Sequence, residues 1–123
     1  MRIIGGEYRS RMISFPDAEG LRPTPDRVRE TLFNWLGQTL YGRTCLDLFA
    51  GSGALGFEAA SRGAERVVMV EKNPAVFRSL QENLKKFGCT NVSAHCQNGL
   101  EFVSRDAQRY DVIFLDPPFQ SEC

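Results

Sequence analysis

No stretch of this 123-residue chain is apolar for long enough to span a bilayer, and its first residues lack the basic start and apolar run of a signal peptide. Both absences point to a cytoplasmic protein without a membrane partner. Cysteine is scarce and unpatterned. Cys45, Cys89, Cys96 and Cys123 show no paired spacing, so free thiols are expected rather than disulfides, and no metal site is expected. Histidine occurs once, as His95 in the strand-like stretch Val92 to Cys96, where a packed or surface side chain is expected and no catalytic role. Net charge is also missing, at zero, and no repeat, low-complexity tract or linker interrupts the chain. Lysine is absent from residues 1–29, which carry six arginines (Arg2, Arg9, Arg11, Arg22, Arg27, Arg29) against four acids (Glu7, Asp17, Glu19, Asp26), an excess of two. Arginine suits bidentate contact with phosphate and stacking on bases. An excess this small is equally what a solvated charged surface carries.

What is present is more specific. Asp116-Pro117-Pro118-Phe119 follows the apolar run Val112-Ile113-Phe114-Leu115, where a strand would end and a site would open. Two prolines fix their φ angles and have no N–H to donate, so the loop is rigid and offers bare carbonyl oxygens. A carboxylate and a proline carbonyl can accept both hydrogens of one exocyclic amino group, while the Phe119 ring offers a face for a base. Such an amino group is a poor nucleophile, because its lone pair is delocalised into the base. Two acceptors that hold its hydrogens out of plane help to localise that pair, so positioning carries most of the catalysis. An ordinary proline turn with a solvated Asp remains the plain alternative.

A second signal is Asp47-Leu48-Phe49-Ala50-Gly51-Ser52-Gly53-Ala54-Leu55-Gly56, which follows a strand beginning near Cys45 and leads into a helical stretch. This is the strand, glycine loop, helix order of a nucleotide-binding unit. Gly51 and Gly53 allow a sharp turn and a close approach to a ligand, and the helix amino terminus favours an anionic group. Glu71 ends the next strand-like run, where it can accept both ribose hydroxyls. To this point a dinucleotide fits as well. Asp47 separates the readings, since a carboxylate four residues before the first glycine sits poorly beside a pyrophosphate and well beside an ammonium. S-adenosylmethionine carries that ammonium together with a carboxylate, a ribose and an adenine.

The two motifs together resemble those of the Rossmann-like, S-adenosylmethionine-dependent amino-methyltransferases. Arg2-Ile3-Ile4-Gly5-Gly6 and the segment Gly20-Leu21-Arg22-Pro23-Thr24-Pro25-Asp26-Arg27-Val28-Arg29-Glu30-Thr31-Leu32-Phe33-Asn34-Trp35-Leu36 are closely similar to the opening of the RsmD family. The resemblance covers Arg2 to Phe119. It implies methylation of the exocyclic N2 of a guanine in small-subunit ribosomal RNA, with that RNA or the assembling subunit as partner. It implies catalytic roles for Asp116, Pro117, Pro118 and Phe119, and cofactor binding by Asp47, Phe49, Ala50, Gly51, Ser52, Gly53 and Glu71. Asn98 and Gly99 are its expected adenine contacts, although Asn98 also reads as a helix cap. Arg9, Arg11, Arg22 and Arg27 are the expected RNA contacts. Adenine N6 or cytosine N4 of DNA remains an alternative target, and a nucleotide-binding module without catalysis an alternative from another class. A dehydrogenase ranks last, because it leaves Asp116 to Phe119 unexplained.

The pattern predicts an α/β chain with a Rossmann-like methyltransferase fold: a parallel sheet, helices on both faces and an N-terminal β-hairpin extension. Strands are expected near 44–49, 66–71, 91–96 and 111–115, and helices near 53–62, 74–87 and 99–108. An earlier helix, capped by Thr24 with Pro25 at its first position, would bury Val28, Leu32, Trp35 and Leu36. Asn73 with Pro74 should start the 74–87 helix, and Gly88 should end it. Residues 1–22 read as the hairpin extension and 23–123 as the core of a single domain. By analogy with the family, the strands after the fourth are missing, so the chain reads as truncated.

Overall fold

The computed structural model describes residues 2–13, 25–105 and 108–116. Among the described residues, eight elements alternate: α1 (Asp26–Leu36), β1 (Thr44–Asp47), α2 (Ala54–Ser61), β2 (Arg66–Glu71), α3 (Pro74–Phe87), β3 (Val92–Cys96), α4 (Gly99–Arg105) and β4 (Val112–Phe114). The strands form one parallel sheet in the order β3-β2-β1-β4. The chain therefore steps outward from β1 to β3 and then returns to the other side of β1. That reversal places the switch point, where open α/β sheets take their ligands, between the carboxyl ends of β1 and β4.

Strand residues alternate between two apolar layers, as the pleat requires. Cys45, Val67, Met69 and Phe114 join Phe33 of α1, Phe57 of α2 and Leu80 and Phe87 of α3 on one face. Leu46, Val68 and Val70 face the other way, with Leu48, and pack with Phe102 of α4. Helices thus cover both faces. None of the helices among the described residues is long and apolar enough to cross a membrane.

The expected ends of α3 are met. Asn73 Oδ1 accepts from the Ala75 and Val76 amides at 2.9 and 3.3 Å, and Gly88, at φ 67°, closes the helix by donating to the Leu84 carbonyl at 3.0 Å. The strands run slightly shorter than expected, 44–47, 92–96 and 112–114, as does α2 at 54–61. Thr24 lies outside the described residues, and Pro25 stands one place before the first residue of α1, its carbonyl accepting the Arg29 amide at 3.0 Å.

The buried face of α1 corrects the expected stripe. Trp35 is 82% exposed and Val28 53%, whereas Arg29 and Phe33 are fully buried and Leu32 and Leu36 only partly so. The reason is an ion-pair network. Glu58, buried on α2, accepts from Arg29 Nη1 at 3.4 Å and from Arg62 Nε at 2.8 Å, and Arg29 also reaches Asp26 and the Arg2 carbonyl. Arg29 and Phe33 lie one helical turn apart, so turning one inward turns the other inward and carries Val28 and Trp35 out.

The same carboxylate holds the N-terminal segment. Glu58 accepts from the Ile4 and Gly5 amides, both at 2.9 Å, while Ser61 offers its carbonyl to the Glu7 amide and its hydroxyl to the Tyr8 amide. Among the described residues of the expected hairpin there is one antiparallel bridge, Arg2 with Met12, and a tight return through residues 5–10; residues 14–22 lie outside the described residues. A Cβ on Gly6 would lie 1.9 Å from the Ser61 carbonyl oxygen, so this docking requires glycine there.

Candidate active site

β1 delivers Asp47 to the carboxyl edge of the sheet, and the chain then turns through Gly51 and Gly53 into α2. Both glycines have positive φ, 55° and 87°. At Gly53 a Cβ would also strike the Phe57 ring at 2.5 Å and Leu80 at 2.6 Å, so the loop lies flat on the core. The turn is closed by the Gly53 amide donating to the Ala50 carbonyl at 2.8 Å.

Asp47 is 1% exposed. One carboxylate oxygen accepts the Gly56 amide at 3.1 Å; the other, Oδ1, is buried with no hydrogen-bond partner among the described residues. Burial pushes its pKa up to about 7, the Gly56 amide opposes the rise, and the nearby charges of Asp116 and Glu71 add to it. A buried acceptor of this kind is costly unless something donates to it. A cationic donor satisfies both needs at once. Position and chemistry therefore fit the ammonium of an amino-acid ligand.

Glu71 ends β2 and ties two loops together. Its Oε1 accepts the Gly51 amide at 2.9 Å and its Oε2 the Asn73 amide at 3.0 Å, while its own carbonyl accepts from the Gln97 amide. This sets the glycine loop against the turn into α3. A carboxylate has about four lone-pair sites, so two backbone contacts leave capacity for ligand hydroxyls. The tether itself was not visible in the spacing of the motif.

Asn98 caps α4, its side-chain oxygen accepting from the Leu100 and Glu101 amides at 2.9 and 3.4 Å. Gly99 is buried against β1, where a Cβ would come within 2.9 Å of the Leu48 carbonyl oxygen. Phe49 packs under Leu46 and Val70, and Ala50 belongs to the core, so their side chains serve the loop's packing. Ser52 is buried within the loop. Asp116 is exposed two residues beyond β4, close enough to Asp47 to raise its pKa. Pro117, Pro118 and Phe119 lie outside the described residues. Asp47, Glu71 and Asp116 thus gather at the switch point, with Asn98 at the end of β3.

Arg9 and Arg11 are exposed on the N-terminal segment, Arg27 is exposed on α1, and Arg22 lies outside the described residues. His95 packs its ring 5.3 Å from that of Phe102. Cys45, Cys89 and Cys96 are free thiols. An open cleft of about 560 Å³ sits at the opposite edge of the sheet, lined by Thr44, Arg66 and Ser93 among others, and includes none of the site residues.

Comparison with known proteins places this arrangement in a family. The sequence model described as "Conserved hypothetical protein 95" matches residues 1–123. The Ribosomal RNA small subunit methyltransferase D of Escherichia coli K12 is 46% identical over 120 residues, which is 98% of this chain and 61% of that protein. The Haemophilus influenzae protein of the same name is 46% identical over 97% of this chain and 64% of its own length. The chain therefore spans somewhat less than two thirds of these relatives. The solved structure of Escherichia coli yhhF has a TM-score of 0.89 at 45% identity, covering 99% of this chain and 66% of that one. With its parallel sheet, its glycine loop and a family match over its full length, the chain belongs to the RsmD family and has the Rossmann-like methyltransferase fold.

Proposed function

We propose that the protein to which this chain belongs methylates the exocyclic N2 amino group of a guanine in small-subunit ribosomal RNA, using S-adenosylmethionine. The observation that carries the reading is the buried, unpartnered oxygen of Asp47 beside the glycine loop, with Asp116 close by across the switch point. The names of the Escherichia coli and Haemophilus influenzae relatives support ribosomal RNA as the substrate class.

S-adenosylmethionine, when bound, supplies a methyl group on a positively charged sulfur. Asp47 Oδ1 accepts from its ammonium group, and Glu71 from its ribose hydroxyls. The backbone of Ala50 to Gly53 lies along the amino-acid portion at the start of α2. Asn98 and Gly99 border the adenine. On the substrate side, Asp116 and the Pro117 carbonyl accept the two hydrogens of the target amino group. They turn its lone pair toward the methyl group, and Phe119 stacks on the base, which is exposed or flipped from its RNA context.

The test is the nucleoside content of ribosomal RNA from cells with and without the intact gene. Loss of N2-methylguanosine at one position supports the reading. An unchanged guanosine profile with loss of a methylated adenosine or cytidine would redirect it to another amino group.

A further inference from the structure

Away from the site, basic and aromatic side chains from two distant parts of the chain meet in one strip. The Arg11 guanidinium lies 5.2 Å over the Tyr8 ring, and Tyr8 stacks on Phe87 of α3 at 5.8 Å. Lys86 sits 5.6 Å from the centre of the Phe87 ring and donates to the Met12 carbonyl at 2.9 Å. Arg9, Arg11, Lys85 and Lys86 are all exposed. Among the described residues, the carboxylates nearest in sequence to this strip are Glu7 and Glu82, both exposed. Burial holds the Tyr8 hydroxyl neutral, with a pKa raised to about 12.

The strip occupies the far end of the helices that begin at the site. α2 starts at the glycine loop and ends at Ser61, which holds Glu7 and Tyr8. Eight residues at about 1.5 Å each put roughly 12 Å between the two ends. α3 begins beside Glu71 and ends at Phe87, 14 residues or roughly 21 Å away. Tyr8 is already engaged by the Arg11 guanidinium and the Phe87 ring. What the strip presents outward is cationic charge. Such a surface matches phosphates and reads no sequence.

We propose that Arg9, Arg11, Lys85 and Lys86 form a docking surface for the phosphate backbone of the RNA substrate, separate from the edge where the base reacts. This rests on the RNA methylation reading above. Glu58 and Ser61 act as positioning residues for it, because they fix the backbone of residues 4–8 on α2. Lysines in the last turn of a helix also complement its dipole, which affects stability alone. A binding measurement with a salt series separates the two roles.

The intact protein, the double variant Arg11→Gln/Lys86→Gln and the single variant Lys85→Glu would be titrated with a labelled small-subunit RNA fragment between about 50 and 200 mM salt. S-adenosylhomocysteine binding and thermal melting would be followed in parallel. The double variant should lower the slope of log affinity against log salt by about 1.4 to 1.8, from about 0.7 to 0.9 for each lost phosphate contact. Lys85→Glu should weaken RNA binding at the lowest salt, and S-adenosylhomocysteine affinity should stay constant. If the intact protein binds RNA and both variants match it in affinity and slope, the strip is not a docking surface, whatever happens to melting. If the intact protein shows no salt-dependent binding to the RNA fragment or to small ribosomal subunits, the docking proposal falls, and the nucleoside test given above decides the RNA methylation reading separately.

Discussion

Replacing Asp47 with Asn keeps an oxygen for the Gly56 amide and removes the charge. A carboxyl group whose folded pKa stands above its unfolded value holds its proton more tightly in the folded state. The folded protein is therefore penalised once the unfolded form ionises. The penalty grows as pH rises from 3.8 and levels off above about 7. The roughly 3 units between these values correspond to about 4 kcal/mol in full, more than half of it falling between pH 5 and pH 8. Against a typical domain stability of about 5 to 15 kcal/mol this is easily measured. Without ligand, Asp47→Asn should be more stable than the parent at pH 8, and its denaturation midpoint should depend less on pH across this window. Ligand binding reverses the sign of the effect. An ammonium at Oδ1 favours the ionised carboxylate, so binding of S-adenosylhomocysteine at pH 6, below the raised pKa of about 7, should release most of a proton from Asp47. Calorimetry in two buffers of different ionisation enthalpy counts that proton. Proton release absent from the parent, or equal in parent and Asp47→Asn, would refute the assignment of Asp47 as the ammonium acceptor.

Glu71→Gln offers one acceptor oxygen where two backbone amides now donate, so one of the two tethers is lost. S-adenosylhomocysteine should bind about 10-fold or more weakly, from a charge-assisted hydrogen bond of about 1.5 to 3 kcal/mol, and the Gly51 or Asn73 amide should exchange faster; unchanged exchange at both would show that the tether does not hold the loop. Glu58→Ala removes the acceptor of Arg62 Nε and of the Ile4 and Gly5 amides and takes one of the two carboxylates from buried Arg29. Removing one partner of such a network costs about 3 to 5 kcal/mol, and a shift of the denaturant midpoint worth less than about 1 kcal/mol would mean that water or a rearranged Asp26 replaces it.

The strands and α3 were legible because their signals are local. The apolar runs Val67 to Val70 and Val112 to Leu115, the Asn73-Pro74 start and the Gly88 stop all act within a few residues. The face of α1 was not. Arginine is almost never fully buried without a partner, and besides the exposed Asp26 on its own helix, Arg29 needs the buried carboxylate of Glu58, 29 residues away on another helix. Apolar spacing alone therefore chose Val28 and Trp35 over Arg29. The site was legible as a set of residue types at strand ends, because Asp47, Glu71, Asn98 and Asp116 each end or follow a strand. Burial of one Asp47 oxygen without a partner and the two-amide grip of Glu71 depend on how the loops fold back, which no spacing expresses. The contact between Lys86 and Met12 spans 74 residues and is likewise a product of tertiary packing.

The central claim is that Asp116 holds the amino group that receives the methyl. Cells lacking the gene, complemented with either the intact protein or its Asp116→Ala variant, would have their small-subunit ribosomal RNA digested and its nucleosides separated by mass spectrometry. The account predicts that the intact protein restores N2-methylguanosine and that the variant, binding S-adenosylhomocysteine with near-parental affinity, does not. Restoration by the variant to the level of the intact protein would contradict it.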